Sequence, residues 1–387
     1  MNPEITTTSR FTIDADFPGG NIIVERIEGN HVYLRQDLRD TEGDWFYWSF
    51  KVRGAAGMHL YFHFTGSDVI GVRGPAVSAD GGEHWSWLGV SDADFHNFDY
   101  TFDADSDIVH FAFAIPYLES NLRQFLAIHA GDPSLAVETL CLSRKDREIE
   151  LLHAGRIHRE PTYRLALTGR HHACESMASF TLEGFLERVL SETPTGEWFR
   201  QHVDIIAVPF VDKDGVEDGD QGKNRMPHDH NRDYAGESIH PSVAAIKQLF
   251  PEWSDGKCRL SLDVHCPARR GRVHEVVQFV EPSTNTQEAT GAEMEKFSRI
   301  LETTCSGPLP YSIANNLRFG QDWNVQSANG RNYSGWMSSL EGVKLAIGVE
   351  VPYANADGAE VNEASARALG GDLAEAARLY LEGIGPA

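Results

Sequence analysis

The sequence lacks the features of a membrane protein and of a disulfide-stabilised secreted protein. No run approaches the roughly 18 consecutive apolar residues that a membrane-spanning helix requires. The first segment, Met1 to Asp16, is polar and has no apolar core of the kind found in signal peptides. The cysteines are odd in number, scattered and without a C-x-x-C pair, which indicates free thiols: Cys141, Cys174, Cys258, Cys266 and Cys305. These absences predict a soluble cytoplasmic protein, because thiols stay reduced in that compartment.

Basic residues are also scarce. The chain has 34 Lys and Arg against 57 Asp and Glu, which gives a formal net charge of −23. Such a negative balance argues against a nucleic-acid partner and against an anionic membrane surface, but it leaves room for a small basic pocket. The 387 residues, 41% of them apolar, suffice for two domains with substantial cores. The oligomeric state is left open.

The first part of the chain, residues 1–130, has the pattern of an all-β domain. Short β-prone runs recur at regular spacing, and some alternate apolar and polar residues. They are Asn21–Glu25, His31–Arg35, Trp45–Val52, Met58–Phe64, Phe98–Phe102 and Ile108–Phe113. This spacing predicts a β-sandwich. The dense aromatic residues favour core packing over a sugar-stacking platform, which stays as the alternative.

Residues 131–387 show a different pattern, in which strands alternate with helices. Strands are predicted at 149–152, 163–167, 203–210, 259–264, 273–279 and 345–351. Helices are predicted at 174–190, 241–250, 292–303 and 363–381. The alternation predicts an α/β domain with a mixed sheet flanked by helices. Two segments, 211–238 and 304–343, are predicted as long loops, which are usually functional or disordered.

Candidate metal ligands follow two of the predicted strands. His172 and Glu175 come after the run Leu165–Gly169 and are three residues apart, so that one helical turn can bring them to the same point. His265 ends another apolar strand and provides a third donor. Two imidazoles and a carboxylate are ligands that Zn²⁺ takes in catalytic sites, where a fourth position stays open for water. An H-x-x-E tetrapeptide alone is common by chance, and His171 is an alternative ligand by position.

Three further charged residues suit hydrolysis next to a carboxylate. Arg225 and Arg232 lie in the loop after the strand 203–210, and arginine is well suited to two-pronged carboxylate recognition. Glu350 lies inside the apolar run Leu345–Pro352, where a carboxylate is unexpected unless it is paired or functional. A buried glutamate of raised pKa suits a general base or acid. The acidic start of the loop resembles a Ca²⁺ loop only loosely, and a solvated turn is preferred there.

The order of these motifs resembles that of the M14 zinc carboxypeptidases. H-x-x-E at His172, D-x-N-R at Asp229, a histidine after an apolar strand and a late strand glutamate follow one another as in that family. The N-terminal half is similar to the cytosolic carboxypeptidase branch, in Gly20-Asn21, Trp45-Phe46-Tyr47, Phe111-Ala112-Phe113 and Pro116-Tyr117. The resemblance implies a β-sandwich, residues 1–130, before a zinc carboxypeptidase-like α/β domain, residues 131–387.

The resemblance also implies a role for each matching residue. His172, Glu175 and His265 would be the ligands of one Zn²⁺ per chain, and Glu350 the general base and acid. Asn231 and Arg232 would bind the terminal carboxylate of a peptide or protein substrate. Arg225 would stabilise the oxyanion, although its spacing to Asn231 differs from the usual one, and Tyr333 would cap the substrate. Asp229 would support a ligand histidine.

Two departures from the family bear on specificity. Ala173-Cys174 stand where the family has Pro-Gly, and Cys266-Pro267 follow His265 where Gly-His is common. Removal of C-terminal glutamates is one expected activity, for which Arg269, Arg270, Arg272 and Arg318 form a basic pocket or, equally, a charged surface. The alternatives are a zinc-dependent N-acyl-amino-acid deacylase of the aspartoacylase type and a non-enzymatic binding protein on the same scaffold.

Overall fold

The N-terminal part of the protein consists of short strands in two sheets. The computed structural model describes residues 10–90, 94–105, 107–284, 287–325 and 332–385. The first nine residues, on which part of the expectation about a signal peptide rests, lie outside this description. The strands are β1 (Thr12–Asp14), β2 (Ile23–Glu28), β3 (His31–Arg35), β4 (Ser49–Arg53), β5 (His59–Phe64), β6 (Ala76–Ser78), β7 (Ser86–Trp87), β8 (Asn97–Thr101) and β9 (Ile108–Ala112). One sheet has the order β1-β4-β9-β6-β7 and the other β2-β3-β5-β8.

Aromatic side chains fill the space between these two sheets. In β5, alternate residues are buried, so that Leu60, Phe62 and Phe64 face the interior. Phe62 packs against Phe50 and Phe111 of the opposite sheet, with ring centroids 5.6 and 5.4 Å apart. The predicted β-sandwich is therefore present, and its aromatic residues form a core.

The rest of the chain is a mixed α/β unit. Its elements, in chain order, are α1 (Glu119–Ile128), β10 (Leu135–Leu142), β11 (Glu148–Gly155), β12 (Tyr163–Gly169), α2 (Ser176–Leu190), α3 (Pro194–His202), β13 (Val203–Val208), α4 (Lys213–Asp218), α5 (Pro241–Ser254), β14 (Cys258–His265), β15 (Gln278–Val280), α6 (Gln287–Thr304), α7 (Tyr333–Met337), β16 (Leu345–Glu350), β17 (Asn355–Ala356), β18 (Ala359–Glu360) and α8 (Glu363–Ile384). Seven strands form one sheet in the order β10-β11-β13-β12-β14-β16-β15.

The four central strands of this sheet run parallel. β12 pairs in parallel with β13 and β14, and β14 with β16, whereas the strands at both edges are antiparallel. Every residue of β13, β14 and β16 is buried, as expected for strands covered on both faces. The carboxyl ends of β12, β14 and β16 thus meet at one edge of the sheet, where open α/β sheets bind ligands.

Helices cover both faces of the sheet. On one face α2, α6 and α8 share a buried cluster with the inward side chains of the strands, and this cluster continues into the sandwich core. α5 and α7 pack on the other face. The core is continuous across residue 130, so the division into two domains at that point stays a prediction. Within the described residues, no helix combines the length and apolarity needed to cross a bilayer.

Candidate metal centre

Two adjacent strands and the start of a helix bring the three predicted ligands together. His172 lies just after β12, Glu175 directly precedes α2, and His265 is the last residue of β14. Their donor atoms all lie within 4.8 Å of one another. The Nδ1 atom of His172 is 3.0 Å from Glu175 Oε1, and the Nδ1 atom of His265 is 2.8 Å from Glu175 Oε2. Both imidazoles therefore present Nδ1 to the same carboxylate.

The outer nitrogens of the two histidines face other carboxylates. His265 Nε2 is 2.7 Å from Asp263 Oδ2, and His172 Nε2 is 3.6 Å from Asp229 Oδ1. Asp263 is itself held by Thr168, whose hydroxyl donates to Oδ1 at 2.8 Å. A carboxylate behind a ligating imidazole fixes the ring and increases its basicity, an arrangement typical of metal sites.

The charges of the cluster perturb its protonation equilibria strongly. Burial lowers the pKa of His265, but the carboxylates of Asp263 and Glu175 outweigh burial and raise it well above the ordinary value. Burial raises the pKa of Glu175, but Lys223 and both histidines outweigh this and hold it well below its usual range. The cluster therefore combines buried carboxylates with two imidazoles and an ammonium group that interact strongly with them.

The donor set fits a zinc ion. Two imidazole nitrogens and a carboxylate on three short segments are a common catalytic zinc set, and each imidazole has a carboxylate behind it. His171, the alternative ligand, is used otherwise. Its Nδ1 is 2.8 Å from Asp263 Oδ1 and its Nε2 is 2.7 Å from the Tyr234 hydroxyl. Both ring nitrogens of His171 are thus engaged in the interior.

Glu350 lies next to this cluster, and one of its carboxylate oxygens makes no hydrogen bond to a described residue. It ends β16 and is in register with His265 on the neighbouring strand. The residue is 8% exposed, and Oε2 has no hydrogen-bond partner among the described residues. Burial raises the pKa of Glu350; His265 opposes this increase, and Glu175 adds to it. A buried carboxylate of raised pKa that is not paired can accept and return a proton.

Asn231 and Arg232 belong to a short helical turn, residues 230–232, beside the cluster. Asn231 is fixed: the backbone N–H of Tyr333 donates to its Oδ1 at 2.9 Å, and its Nδ2 is 3.2 Å from His265 Nε2. Arg232 is exposed and donates to the carbonyl of Asn231 at 3.2 Å. It has no ion pair within the described part of the chain, so its guanidinium is available to an incoming carboxylate.

The structure does not bring two of the predicted residues to the cluster. Tyr333 is fully buried, and its hydroxyl is 2.8 Å from that of Ser261 on β14, so it cannot cap a substrate from this position. Arg225 is held by carboxylates at 3.3, 3.1 and 2.8 Å, which belong to Asp40, Asp212 and Asp220. In this structure apolar packing fixes the tyrosine and three ion pairs fix the arginine away from the cluster, and the roles predicted for both stay predictions.

The sequence analysis missed Lys223. Its ammonium is 2.7 Å from Glu175 Oε1 and donates to the carbonyl of Cys266 at 2.9 Å. The signal was present in the sequence, since Lys223 and Arg225 are cations of the same loop. Because the two cations are only two residues apart in one loop, the sequence alone does not show which of them faces the cluster.

Comparison with known proteins adds to this geometry. No family model matches the chain. It is 30% identical over 229 residues to an uncharacterised protein of Zymomonas mobilis. The aligned region covers 58% of this chain and 59% of that protein. It is 28% identical over 180 residues to cytosolic carboxypeptidase 6 of Mus musculus. This alignment covers 44% of this chain and 33% of that protein. The chain thus spans about a third to three fifths of the length of these relatives.

Solved structures share the fold over almost the whole chain. A metallo-carboxypeptidase from Burkholderia cenocepacia superposes with a TM-score of 0.80 and 19% identity, covering 97% of this chain and 100% of that one. A metallo-carboxypeptidase from Pseudomonas aeruginosa, in complex with (2-guanidinoethylmercapto)succinic acid, superposes with a TM-score of 0.76 and 21% sequence identity. The superposition covers 95% of this chain and 98% of that one. The predicted resemblance to the cytosolic carboxypeptidase branch of the M14 family is confirmed: the fold is that of metallo-carboxypeptidases, and the sequence is similar to cytosolic carboxypeptidases.

Proposed function

We propose that this chain is a zinc metallocarboxypeptidase that hydrolyses the C-terminal amide bond of peptides or proteins. The observation that supports this most is the convergence of His172, Glu175 and His265 beside the Glu350 carboxylate, whose Oε2 has no hydrogen-bond partner among the residues that the structure describes. The similarity to cytosolic carboxypeptidases supports the same reaction. The five cysteines, none of which forms a disulfide, support a cytoplasmic location.

The residues of the cluster divide the work of amide hydrolysis. Zinc, when bound by the two histidines and Glu175, would polarise the carbonyl and activate water. Glu350 accepts a proton from the attacking water and returns it to the leaving amine, which is general base and then general acid catalysis. The raised pKa of Glu350 suits both steps, because the carboxylate binds the proton more strongly than an exposed glutamate does.

Asn231 and Arg232 restrict the reaction to chain ends. The exposed guanidinium of Arg232 can form two parallel hydrogen bonds to a terminal carboxylate. The amide of Asn231 lies on the same turn and is already oriented by Tyr333 N–H. A substrate without a free carboxylate would leave this cation unpaired, so we propose that Arg232 makes the enzyme an exopeptidase.

For the terminal residue we propose glutamate, recognised by arginines after β14. Arg269 and Arg270 both contact Asp68 of the sandwich, and Arg318 is 3.2 Å from Glu295. Arg272 is exposed and has no ion pair in the described ranges. In this structure Asp68 pairs with Arg269 and Arg270, the two cations that the acidic side chain of a terminal glutamate would contact.

Asp68→Asn therefore tests the glutamate proposal. The variant frees Arg269 and Arg270 from an anionic partner, so we expect kcat/KM for peptides ending in glutamate to rise severalfold relative to matched peptides ending in glutamine. Measuring both substrates on the wild-type chain gives the reference ratio. An unchanged ratio would remove these arginines from substrate recognition.

The activity itself is tested by metal content and chain-end dependence. The wild-type protein should contain one zinc per chain and cleave peptides with a free C-terminus but not the corresponding amides. His265→Ala should release the metal, because only two protein ligands remain. Undiminished zinc in that variant would contradict the ligand set. Cleavage of N-acyl amino acids in preference to peptides would instead favour a deacylase.

A further inference from the structure

We infer that Lys223 supplies the positive charge that stabilises the oxyanion, the role that the sequence analysis gave to Arg225. The inference rests on the proposed peptide hydrolysis and names one further catalytic residue for it. Four features of the loop that contains both residues lead to this assignment.

Arg225 is not free to serve the reaction. Its guanidinium lies 3.1 Å from Asp212, which is buried, 2.8 Å from Asp220 and 3.3 Å from Asp40 of the sandwich. Turning it toward the cluster would leave these carboxylates without their cation, and breaking the pair with the buried Asp212 is strongly unfavourable. The ion pairs therefore fix the loop and exclude Arg225 from the cluster.

Lys223 occupies the position that Arg225 does not reach. Its ammonium contacts Oε1 of the ligand Glu175 at 2.7 Å, and the Cys266 carbonyl that it binds directly follows His265. Glu350 is close enough to interact with it electrostatically. The ammonium is thus next to a metal ligand and near the general base, where a reacting carbonyl oxygen must lie.

The preceding residue explains why the cation comes from position 223. Gly222 has φ +77°, and a Cβ atom there would be 2.2 Å from the backbone nitrogen of Ala173. No side chain fits at this point, because the loop passes directly against the segment between His172 and Glu175. Lys223 is the next residue, and its long flexible side chain reaches the cluster from there.

The sandwich holds this part of the loop in place. Gln221 and Tyr47 exchange two hydrogen bonds, from Tyr47 N–H to Oε1 at 2.7 Å and from Nε2 to the Tyr47 carbonyl at 2.8 Å. Asn21 donates to the carbonyl of Gly219 at 2.7 Å. Trp45 lies beside the ammonium of Lys223, with its ring centroid 5.3 Å away. The position of the cation is therefore set by contacts from the segments that connect the N-terminal strands.

The proposed chemistry requires only that Lys223 donate a hydrogen bond. Water oxygen forms a bond to the carbonyl carbon, the π electrons of C=O move to its oxygen, and Glu350 takes the proton of the water. Lys223 donates an N–H to that oxyanion and keeps its proton. The electron pair on the oxyanion then re-forms the C=O bond as the C–N bond breaks, the C–N electrons go to nitrogen, and Glu350 protonates the leaving amine. A charge that meets the oxyanion only after attack accelerates the reaction.

Binding of a matched pair of probes tests this role. One is a phosphinic dipeptide analogue, whose tetrahedral anion replaces the scissile amide; the other has an uncharged methylene group there. Both retain the terminal carboxylate, and each is made with glutamate and with phenylalanine at the end. We expect Lys223→Met on the zinc-loaded full chain to weaken the phosphinate by about tenfold to a hundredfold. The methylene analogue should bind within about threefold of its wild-type affinity.

Two further variants and a zinc measurement separate catalysis from structure. Lys223→Arg should regain part of the phosphinate affinity, because it restores the charge. Lys213→Met removes another buried lysine, 2.7 Å from Glu150, and should change neither probe in the folded fraction. Zinc affinity of Lys223→Met, measured by chelator competition, should be equal or tighter, because a cation beside Glu175 opposes a second one.

Specific outcomes would overturn the inference. Unchanged phosphinate affinity in Lys223→Met would exclude contact with the oxyanion. Equal loss of both probes, or weaker zinc binding, would make Lys223 a structural anchor of Glu175. If the wild-type chain binds zinc and both probes, and Lys223→Met binds them equally well, the proposed function stands. Only the role of Lys223 in stabilising the oxyanion is then excluded. A wild-type chain that binds neither zinc nor the phosphinate would end both proposals.

Discussion

Glu350 combines a structural oddity with a specific chemical expectation. It is a carboxylate at the end of a wholly buried strand, beside His265, and one of its oxygens has no hydrogen-bond partner within the described residues. A carboxylate buried for stability is normally paired on both oxygens, since leaving one unsatisfied costs free energy. Its lack of a partner is therefore better explained by a reacting water than by structural support.

Glu350→Gln should separate catalysis from stability. Glutamine preserves the shape of the side chain but cannot accept the proton, so we expect kcat to fall by about 10²- to 10⁴-fold or more. Zinc content and melting temperature should stay near the wild-type values, because Glu350 is not a proposed ligand. The three quantities are measured on one preparation. A folded, zinc-loaded variant with nearly normal kcat would contradict the mechanism.

Arg232 is exposed and free of ion pairs in the described structure, unlike Arg225, Arg269 and Arg270. Arg232→Ala should weaken substrates with a free terminal carboxylate by about tenfold to a hundredfold, the size of a charge-assisted hydrogen bond. C-terminal amides are poor substrates of the wild-type enzyme, and their kcat/KM should change little in the variant. The ratio of kcat/KM for acid and amide substrates is the measurement. Equal losses on both would exclude carboxylate binding by Arg232.

The residue scale also shows what a sequence can predict about a site. His172, Glu175 and His265 were predicted from their positions at strand ends, and Glu350 from its place inside an apolar run. The structure brings the four together because parallel strands end at one edge of the sheet. Their catalytic roles stay predictions. Lys223 and Arg225 could not be told apart, because the choice depends on Asp40, Asp212 and Asp220, which come from distant parts of the chain.

At the scale of elements, burial explains which predictions agree with the structure. The apolar runs of β13, β14 and β16 were predicted because their residues are buried throughout. β10 was missed: it is an edge strand whose residues are half-buried or exposed, so its sequence has no clear periodicity. The strand predicted at 273–279 is in fact β15, residues 278–280, because the chain before it forms turns.

Helix packing follows from glycines that the periodicity does not explain. α2 and α8 approach so closely that a Cβ on Gly184 would be 2.1 Å from the Arg367 carbonyl oxygen, and one on Gly370 would be 2.0 Å from that of Thr181. The sequence predicted both helices, but not this contact, because it depends on backbones that meet only in the folded protein.

The segment 219–223 gives a prediction at the same scale. Gly222→Ala should disturb the cluster, because its Cβ would meet the backbone of Ala173 in addition to the strain of positive φ, which alone costs about 1–2 kcal/mol. We expect a clear loss of melting temperature and weaker zinc binding. Gly236→Ala is the matched control: its φ is +70° but nothing lies within 4 Å of the added atom. Equal effects of the two variants would show that only backbone strain matters.

At the scale of the whole molecule, the sandwich and the α/β unit form one core. Phe46 and Phe113 of the N-terminal part pack on Tyr353, with centroids 5.7 and 4.9 Å apart, near the strand end that presents Glu350. Arg170, just before the proposed ligand His172, is buried and donates to the carbonyl of Tyr117 at 2.8 Å. The sandwich thus packs against the edge of the sheet that carries the His172, Glu175, His265 and Glu350 cluster.

A chain that begins at Arg147 should therefore fail as an independent enzyme. Such a chain lacks the sandwich together with α1 and the edge strand β10, so that β11 is uncovered as well. Loss of the sandwich would expose the aromatic face around Tyr353 and leave Arg170 and Gln221 without their buried partners, each loss costing about 1–3 kcal/mol. We expect insoluble or strongly destabilised protein, measured by solubility and thermal unfolding. Gln221→Ala in the full chain isolates the smaller effect and should lower stability and zinc affinity together, whereas the exposed Gln201→Ala should do neither. A truncated chain with unchanged melting and full activity would show instead that the two parts are independent domains.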